Sequence, residues 1–222
     1  MARPHVTLKL ATSLDGRIAT GAGESRWITG PAARAEVQRL RAGVDAVLVG
    51  AGTVRADDPE LTARTEPPPS RQPLRIVLDT EFSLSLQSRL VATLKLAPLL
   101  VIGAADAEPR KRAALEAAGA LTDAVGRGPK GLDAEAALTR LAERSVHTVL
   151  VEGGGHLAAS LIAADAVDRL EWFRAPLLLG AEGLPAIARL GIGPLNEAPR
   201  WRRIALRELG PDIWESYEPL SD

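Results

Sequence analysis

The chain contains no cysteine, and among its 222 residues there are only one methionine, one tyrosine and two phenylalanines. Without thiols there are no disulfides, no thiolate nucleophile and no cysteine-ligated metal. The three histidines, His5, His147 and His156, do not stand at metal-ligand spacing. Neither sign of charge is in excess, since 27 basic residues face 28 acidic ones. A general nucleic-acid or anionic-membrane binder needs a basic surplus or stripe, so both classes are excluded and any phosphate must be recognised locally. No run reaches the ~18 apolar residues of a membrane span. The N-terminus, MARPHVTLKLA, lacks the apolar core and cleavage site of a signal peptide, so the expected location is cytoplasmic. Repeats and breaks of composition are also missing. With 46% hydrophobic residues, the length suits one α/β domain over residues 1–222.

What the chain does have is concentrated in residues 147–164, HTVLVEGGGHLAASLIAA. The aliphatic run Thr148-Val149-Leu150-Val151 ends in Glu152. Three glycines follow, and then a small-residue helix carrying Leu157, Leu161 and Ile162. This is a strand, a tight turn and a helix. The glycines let the backbone approach a ligand, and the helix start offers unpaired N–H groups and the positive end of a dipole, which suits a phosphate. Gly153-Gly154-Gly155 matches neither the dinucleotide fingerprint nor the P-loop, so a purely structural turn stays open. Glu152 favours the functional reading. An acid closing an apolar strand is costly to bury without a partner, and ligands of open α/β sheets sit beyond the carboxyl ends of strands.

From the N-terminus, residues 5–11 (HVTLKLA) alternate as a strand, with Lys9 on its polar face. Residues 12–30 are rich in Gly, Ser and Thr, carry a turn at Asp15-Gly16, and are long enough for a binding loop. A helix capped by Thr29, with Pro31 in its first turn, runs to Ala42; by pattern alone its Arg34, Arg39 and Arg41 are solvated. Residues 45–50, 74–79 and 98–103 are short continuous apolar runs, the pattern of strands buried on both faces. Asp57-Asp58-Pro59 reads as a helix stop and turn rather than a metal site, because neighbouring acids rarely converge on one ion and no third ligand is evident. Helices are predicted over 109–118 and over 132–144, the second capped by Asp133. A weaker strand is expected at 120–125 and a strand at 168–176, and a hairpin over 201–218 turns at Gly210-Pro211-Asp212. Strands alternating with helices, then a more antiparallel ending, predict a mixed, mostly parallel sheet flanked by helices with a C-terminal antiparallel hairpin.

Four blocks in order, VTLKLATSLDGRIA from Val6, GESRWIT from Gly23, LVGAGTVRADDPELTAR with RIVLD from Leu48 and Arg75, and LVEGGGHLAASLI from Leu150, carry a resemblance. The chain resembles the reductase domain of the riboflavin-biosynthesis deaminase/reductase enzymes, within the dihydrofolate-reductase-like superfamily. The resemblance implies NADPH-dependent reduction of the ribose of 5-amino-6-(5-phosphoribosylamino)uracil to the ribitylamino product, with no metal in the reductase. It implies cofactor contacts at Ala11, Trp27, Thr53, Asp57, Thr80, Gly154, Gly155, His156, Leu157, Ala158, Ala159 and Ser160. It implies substrate contacts at Ser25, Arg41, Leu61, Arg64 and Glu152, and a homodimer. Lys9 falls at a family lysine close to the reacting ribose. Imine reduction needs a proton beside the hydride, and Lys9 is the first candidate for its donor, Asp57 the second. Unlike the usual bacterial enzyme, the chain has no zinc-deaminase motifs, which leaves the exact substrate open. A dihydrofolate-reductase-like reductase for another heterocycle and a non-catalytic nucleotide-binding module are the alternatives.

Overall fold

The computed structural model describes residues 3–26, 28–129 and 131–220. In chain order it forms β1 (His5–Thr12), β2 (Arg17–Ala19), α1 (Pro31–Ala42), β3 (Ala46–Gly50), α2 (Ala51–Asp57), β4 (Leu74–Leu78) and α3 (Arg89–Ala92). Then come β5 (Leu99–Ala104), α4 (Pro109–Ala117), β6 (Leu121–Val125), the short β7 (Arg127–Gly128) and β8 (Gly131–Leu132), α5 (Ala134–Glu143), β9 (Thr148–Val151) and α6 (Gly155–Ala163). The chain closes with β10 (Arg169–Arg174), β11 (Leu184–Pro185), a single 3-10 turn, β12 (Trp201–Leu209) and β13 (Asp212–Pro219). These elements group into two compact units, residues up to 5 with 38–150, and residues 6–37 with 151 onward.

In the first unit the strand order is β9-β3-β4-β5-β6, and β3, β4, β5 and β6 pair in parallel. The continuous apolar runs are buried on both sides as their pattern requires. Val47, Val49, Val77, Leu99, Val101 and Leu150 pack with Leu90 and Leu115 in one core. Gly103 is set by this packing, because a Cβ there would meet the Phe82 ring at 2.3 Å. Asp133 caps α5 as its position in the sequence suggests, accepting from the Ala136 N–H at 3.0 Å. One residue of an apolar run is not apolar. Arg75, in the middle of the LRIVL strand, is 0% exposed.

In the second unit β10 lies parallel to β1, with Lys9 opposite Glu171 and Ala11 opposite Phe173. β13 then pairs antiparallel to β10, and β12 antiparallel to β13 through the predicted turn, where Gly210 takes φ +69. The Phe173 and Trp214 rings stack across β10 and β13 with centroids 5.1 Å apart. The strand set is therefore mixed and mostly parallel, ending in the antiparallel hairpin.

Residues 12–30 are more ordered than their composition suggests. β2 pairs with β11, and Gly16 takes φ +76 in the Asp15-Gly16 turn. Asp15 ties this turn to a distant segment, accepting from Ser13 Oγ at 2.6 Å, the Gly180 N–H at 2.8 Å and the Leu179 N–H at 3.2 Å. The Ser13 hydroxyl, joined by those N–H groups against a smaller cost of burial, lowers the Asp15 carboxyl from 3.8 to about 2. A folded-state pKa below the unfolded one stabilises the fold above the unfolded value and ceases to do so as pH falls through the folded value. The stability difference between the wild type and Asp15→Asn is therefore expected to be complete above pH ~4 and to vanish on approaching pH ~2. Urea midpoints of both proteins across that range measure it, and a constant gap would show that the carboxylate charge contributes nothing.

Candidate active site

In the second unit, Lys9 stands in mid-strand on β1 and Glu152 directly follows β9. Their side chains meet at 3.9 Å, Nζ to Oε2, with 15% and 10% of the side-chain surface exposed. Lys9 Nζ also lies 6.0 Å from the Phe173 ring centroid. A partly buried ammonium beside one carboxylate and above an aromatic face has its charge compensated and its direction restrained. Ala11, further along β1, is half-buried, as is Ser25 in the loop before α1. Trp27 lies outside the described residues.

The glycine turn after Glu152 leads into α6, whose N-cap is Gly154. No side chain caps this helix and no acid occupies its first turn. Such a start suits the pyrophosphate of a nucleotide cofactor, since the N-terminal dipole and N–H groups favour an anion and nothing acidic opposes it. The glycines also have a packing reason. A Cβ on Gly155 would sit 2.5 Å from the Pro185 carbonyl, and one on Gly153 would sit 2.7 Å from Leu157 Cδ2. Along α6, His156 is exposed and Leu157 half-buried, whereas Ala158 and Ala159 are buried. Ser160 donates its hydroxyl to the His156 carbonyl at 3.0 Å.

In the first unit, Thr53 lies in the first turn of α2 and Asp57 at its end, both half-buried, and half-buried Thr80 follows β4. Asp58 takes the left-handed conformation that stops α2, and its carboxylate accepts the Arg89 N–H at 2.9 Å. Asp79, directly after β4, closes its own turn by accepting from the Leu84 N–H at 2.7 Å and Ser83 Oγ at 3.0 Å.

Leu61, Arg64 and Arg41 come together around residues 58–65. Leu61 is buried at φ +59, a conformation uncommon outside glycine that marks a constrained backbone. Arg41 is not the solvated residue its helix pattern suggests. It is 9% exposed and donates Nη1 to the Thr62 carbonyl at 3.1 Å. Arg64 keeps its side chain 57% exposed, 3.8 Å from Glu60, while its N–H donates to Gln38 Oε1 at 2.9 Å. Gln72 clamps Ala63 through both backbone groups at 2.8 and 2.9 Å. Glu60 accepts from Thr62 Oγ1 and Arg89 Nη2, and the Thr62 hydroxyl is the largest cause of its lowered pKa. From inside, Arg75 donates to the Glu60 carbonyl at 3.3 Å. Of these supports only Arg41 was singled out, and by the family resemblance as a substrate contact rather than by its pattern. Gln38, Glu60, Gln72 and Arg75 were missed, although a charged residue interrupting an apolar strand was a usable signal for Arg75.

Residues 4–214 match the model of the RibD C-terminal domain family. The riboflavin biosynthesis protein RibD of Bacillus amyloliquefaciens is 37% identical over 211 residues, which cover 95% of this chain and 56% of that protein. A structure of Acinetobacter baumannii RibD superposes with a TM-score of 0.85 at 29% identity, over 99% of this chain and 59% of that one. A Thermotoga maritima diaminohydroxyphosphoribosylaminopyrimidine deaminase/5-amino-6-(5-phosphoribosylamino)uracil reductase gives 0.78 at 30% identity, over 98% and 57%. The chain thus spans somewhat over half the length of these relatives. Dihydrofolate reductase from Enterococcus faecalis, 15% identical over 98% of this chain and 97% of its own, shares the fold with a TM-score of 0.54. With the family model covering nearly all of its residues, the chain belongs to the RibD C-terminal domain family.

Proposed function

We propose that this chain is a 5-amino-6-(5-phosphoribosylamino)uracil reductase, acting as one domain over residues 1–222 and using NADPH to form the ribitylamino product of riboflavin biosynthesis. The observation that carries this reading is the shielded Lys9–Glu152 pair, set in a family whose relatives include a named reductase of this substrate. NADPH, when bound, supplies the hydride that adds to C1 of the opened ribose. Saturating that carbon–nitrogen bond also takes up one proton. Lys9 provides it, and Glu152 holds the ammonium in place while offering its other oxygen to the substrate's N–H or hydroxyl groups. Asp57 is the second candidate donor.

The first turn of α6 takes the cofactor's phosphates, with Gly154, Gly155, His156 and Leu157 as its contacts, joined by Ala11, Trp27, Thr53, Asp57 and Thr80. Ser25, Arg41, Leu61 and Arg64 bind the substrate. Arg64, exposed and braced by Glu60, Gln38 and Gln72, is the guanidinium available for the phosphate, whereas buried Arg41 shapes the loop that presents it. The protein acts in the cytoplasm as a homodimer. Among the described residues, no helix is long and apolar enough to cross a membrane.

Loss of NADPH absorbance, followed with the deaminated pyrimidine, the undeaminated form and dihydrofolate side by side, tests the reading. Oxidation with the deaminated compound alone is expected. Oxidation with dihydrofolate instead would indicate a reductase of another heterocycle, and NADPH binding without oxidation of any of them a binding module.

A further inference from the structure

Glu171 is 2% exposed on β10, although the alternation of RLEWFR places it with Arg169 among the polar positions of the strand. A carboxylate buried this far costs several kcal/mol unless its acceptors are filled. Here they are filled by donors alone. Arg169 Nε reaches Oε1, and Trp214 Nε1 and Ser216 Oγ both reach Oε2, each at 2.5 Å. These bonds make the carboxylate tolerable, yet an apolar residue would have needed none of them.

Its position relative to Lys9 supplies the reason. The two are register partners on neighbouring parallel strands, so their side chains emerge on the same face of the sheet. Phe173, two residues beyond Glu171 and therefore on that face as well, lies under the Lys9 ammonium and stacks on the Trp214 ring that Glu171 holds by its indole N–H. Named element by element, the titratable groups on this face include His5 on β1 and the exposed pair Glu218 and Arg202 on β13 and β12. Glu152 follows β9, and Arg169 and Glu171 stand on β10. β13 contributes Asp212, whose carboxylate accepts the Gly30 N–H, and β12 contributes Arg207, seated over Trp214. From α1, Glu36 pairs with Arg207 at 4.0 Å. Beside Lys9, Glu152 and Glu171 each bring a negative charge and Arg169 a positive one. Removing Glu171 takes away one of those negative charges and leaves the positive charge of Arg169.

We propose that Glu171 is a positioning residue for the reduction: it holds the Lys9 ammonium charged, by offsetting Arg169, and fixes the Phe173–Trp214 platform beneath it. This rests on the reading of Lys9 as proton donor, and the test separates the two. The chain has four lysines, Lys9, Lys95, Lys111 and Lys130, so protein labelled with carbon-13 at the lysine Cε gives few resonances, and Lys9→Arg identifies the one sought. Titrating that resonance, together with the basic limb of kcat/KM, in wild type, Glu171→Gln and Arg169→Gln gives shifts of opposite sign. The first variant is expected to lower both values by about one pH unit, a tenfold loss of activity above the limb, and the second to raise them. Loss of packing alone would produce no such opposition, and Arg169→Gln keeps the test available if Glu171→Gln fails to fold. A Lys9 resonance titrating at the same pH in all three proteins overturns the proposal. A resonance that moves while the rate profile does not upholds the link to Glu171 and overturns Lys9 as the donor.

Discussion

Lys9→Ala is expected to lower kcat by about 10²- to 10⁴-fold, the usual contribution of a positioned general acid, while NADPH affinity changes little. The alanine removes the ammonium that faces Glu152 and leaves that carboxylate, only 10% exposed, without its lysine partner. Part of the loss can therefore come from a rearranged Glu152 rather than from the missing proton. Lys9→Met keeps the aliphatic stem on the Phe173 ring and removes only the charge. It should lose as much activity as the alanine if protonation is the role, and less if packing dominates. Single-turnover hydride transfer, compared with NADPH binding measured by fluorescence, separates the two effects. Wild-type hydride transfer in both variants would pass the role of donor to Asp57.

Arg75→Met is expected to destabilise the protein by about 3–5 kcal/mol, the range found when one partner of a buried charged network is removed. For a chain of this size that is a fall in Tm of roughly 6–20 °C. Two effects compete. Burial opposes the charged form and lowers the Arg75 pKa from its ordinary value to about 10, so a methionine relieves a desolvation cost. Against this, the guanidinium donates to the Thr93 hydroxyl at 2.7 Å and to the carbonyls of Thr93, Pro98, Glu60 and Ala97. The methionine takes the side-chain donor from the Glu60 and Ala97 carbonyls in a dry interior, at about 1–3 kcal/mol for each one not re-satisfied, while the Thr93 and Pro98 carbonyls keep backbone N–H donors from Leu96 and residue 75. Those losses outweigh the relief. Because Glu60 belongs to the segment that presents Arg64, KM for the phosphorylated substrate should rise before folding fails. Arg75→Lys retains charge but not the planar fork, and should fall between methionine and wild type. Thermal melts and KM measured below the transition check both effects. A methionine variant as stable as wild type would mean that water reaches the carbonyls.

The structural supports of the proposed site differ in how visible they were. Glu152 stands out in sequence because an acid ending an apolar strand breaks a local pattern, whereas Lys9 fits the polar face of its alternating strand and is singled out by the family resemblance. The glycine turn was legible for a related reason, since three glycines before a small-residue helix admit few other conformations. Glu171 went unread because it continues the polar positions of an alternating strand, and nothing local shows that it is buried. Arg41 sits on a helix whose outer face is polar, and nothing local distinguishes a guanidinium in water from one that turns inward to the Thr62 carbonyl.

Most of the secondary structure, the mostly parallel character of the sheet and the final hairpin were thus determined by the sequence itself. They follow from side-chain periods of 2 and 3.6 residues, from helix caps and from turn residues, all of which act over a few positions. Only the tertiary structure decided that Lys9 meets Glu152, that Glu171 lies beside Lys9, that Asp79 is spent on its own turn, and that Arg75 and Gln72 brace the segment carrying Arg64. Those pairings depend on strand register and on which buried polar group finds which partner. Both are settled by the packing of residues far apart in the chain, where satisfying every buried donor and acceptor is a global condition.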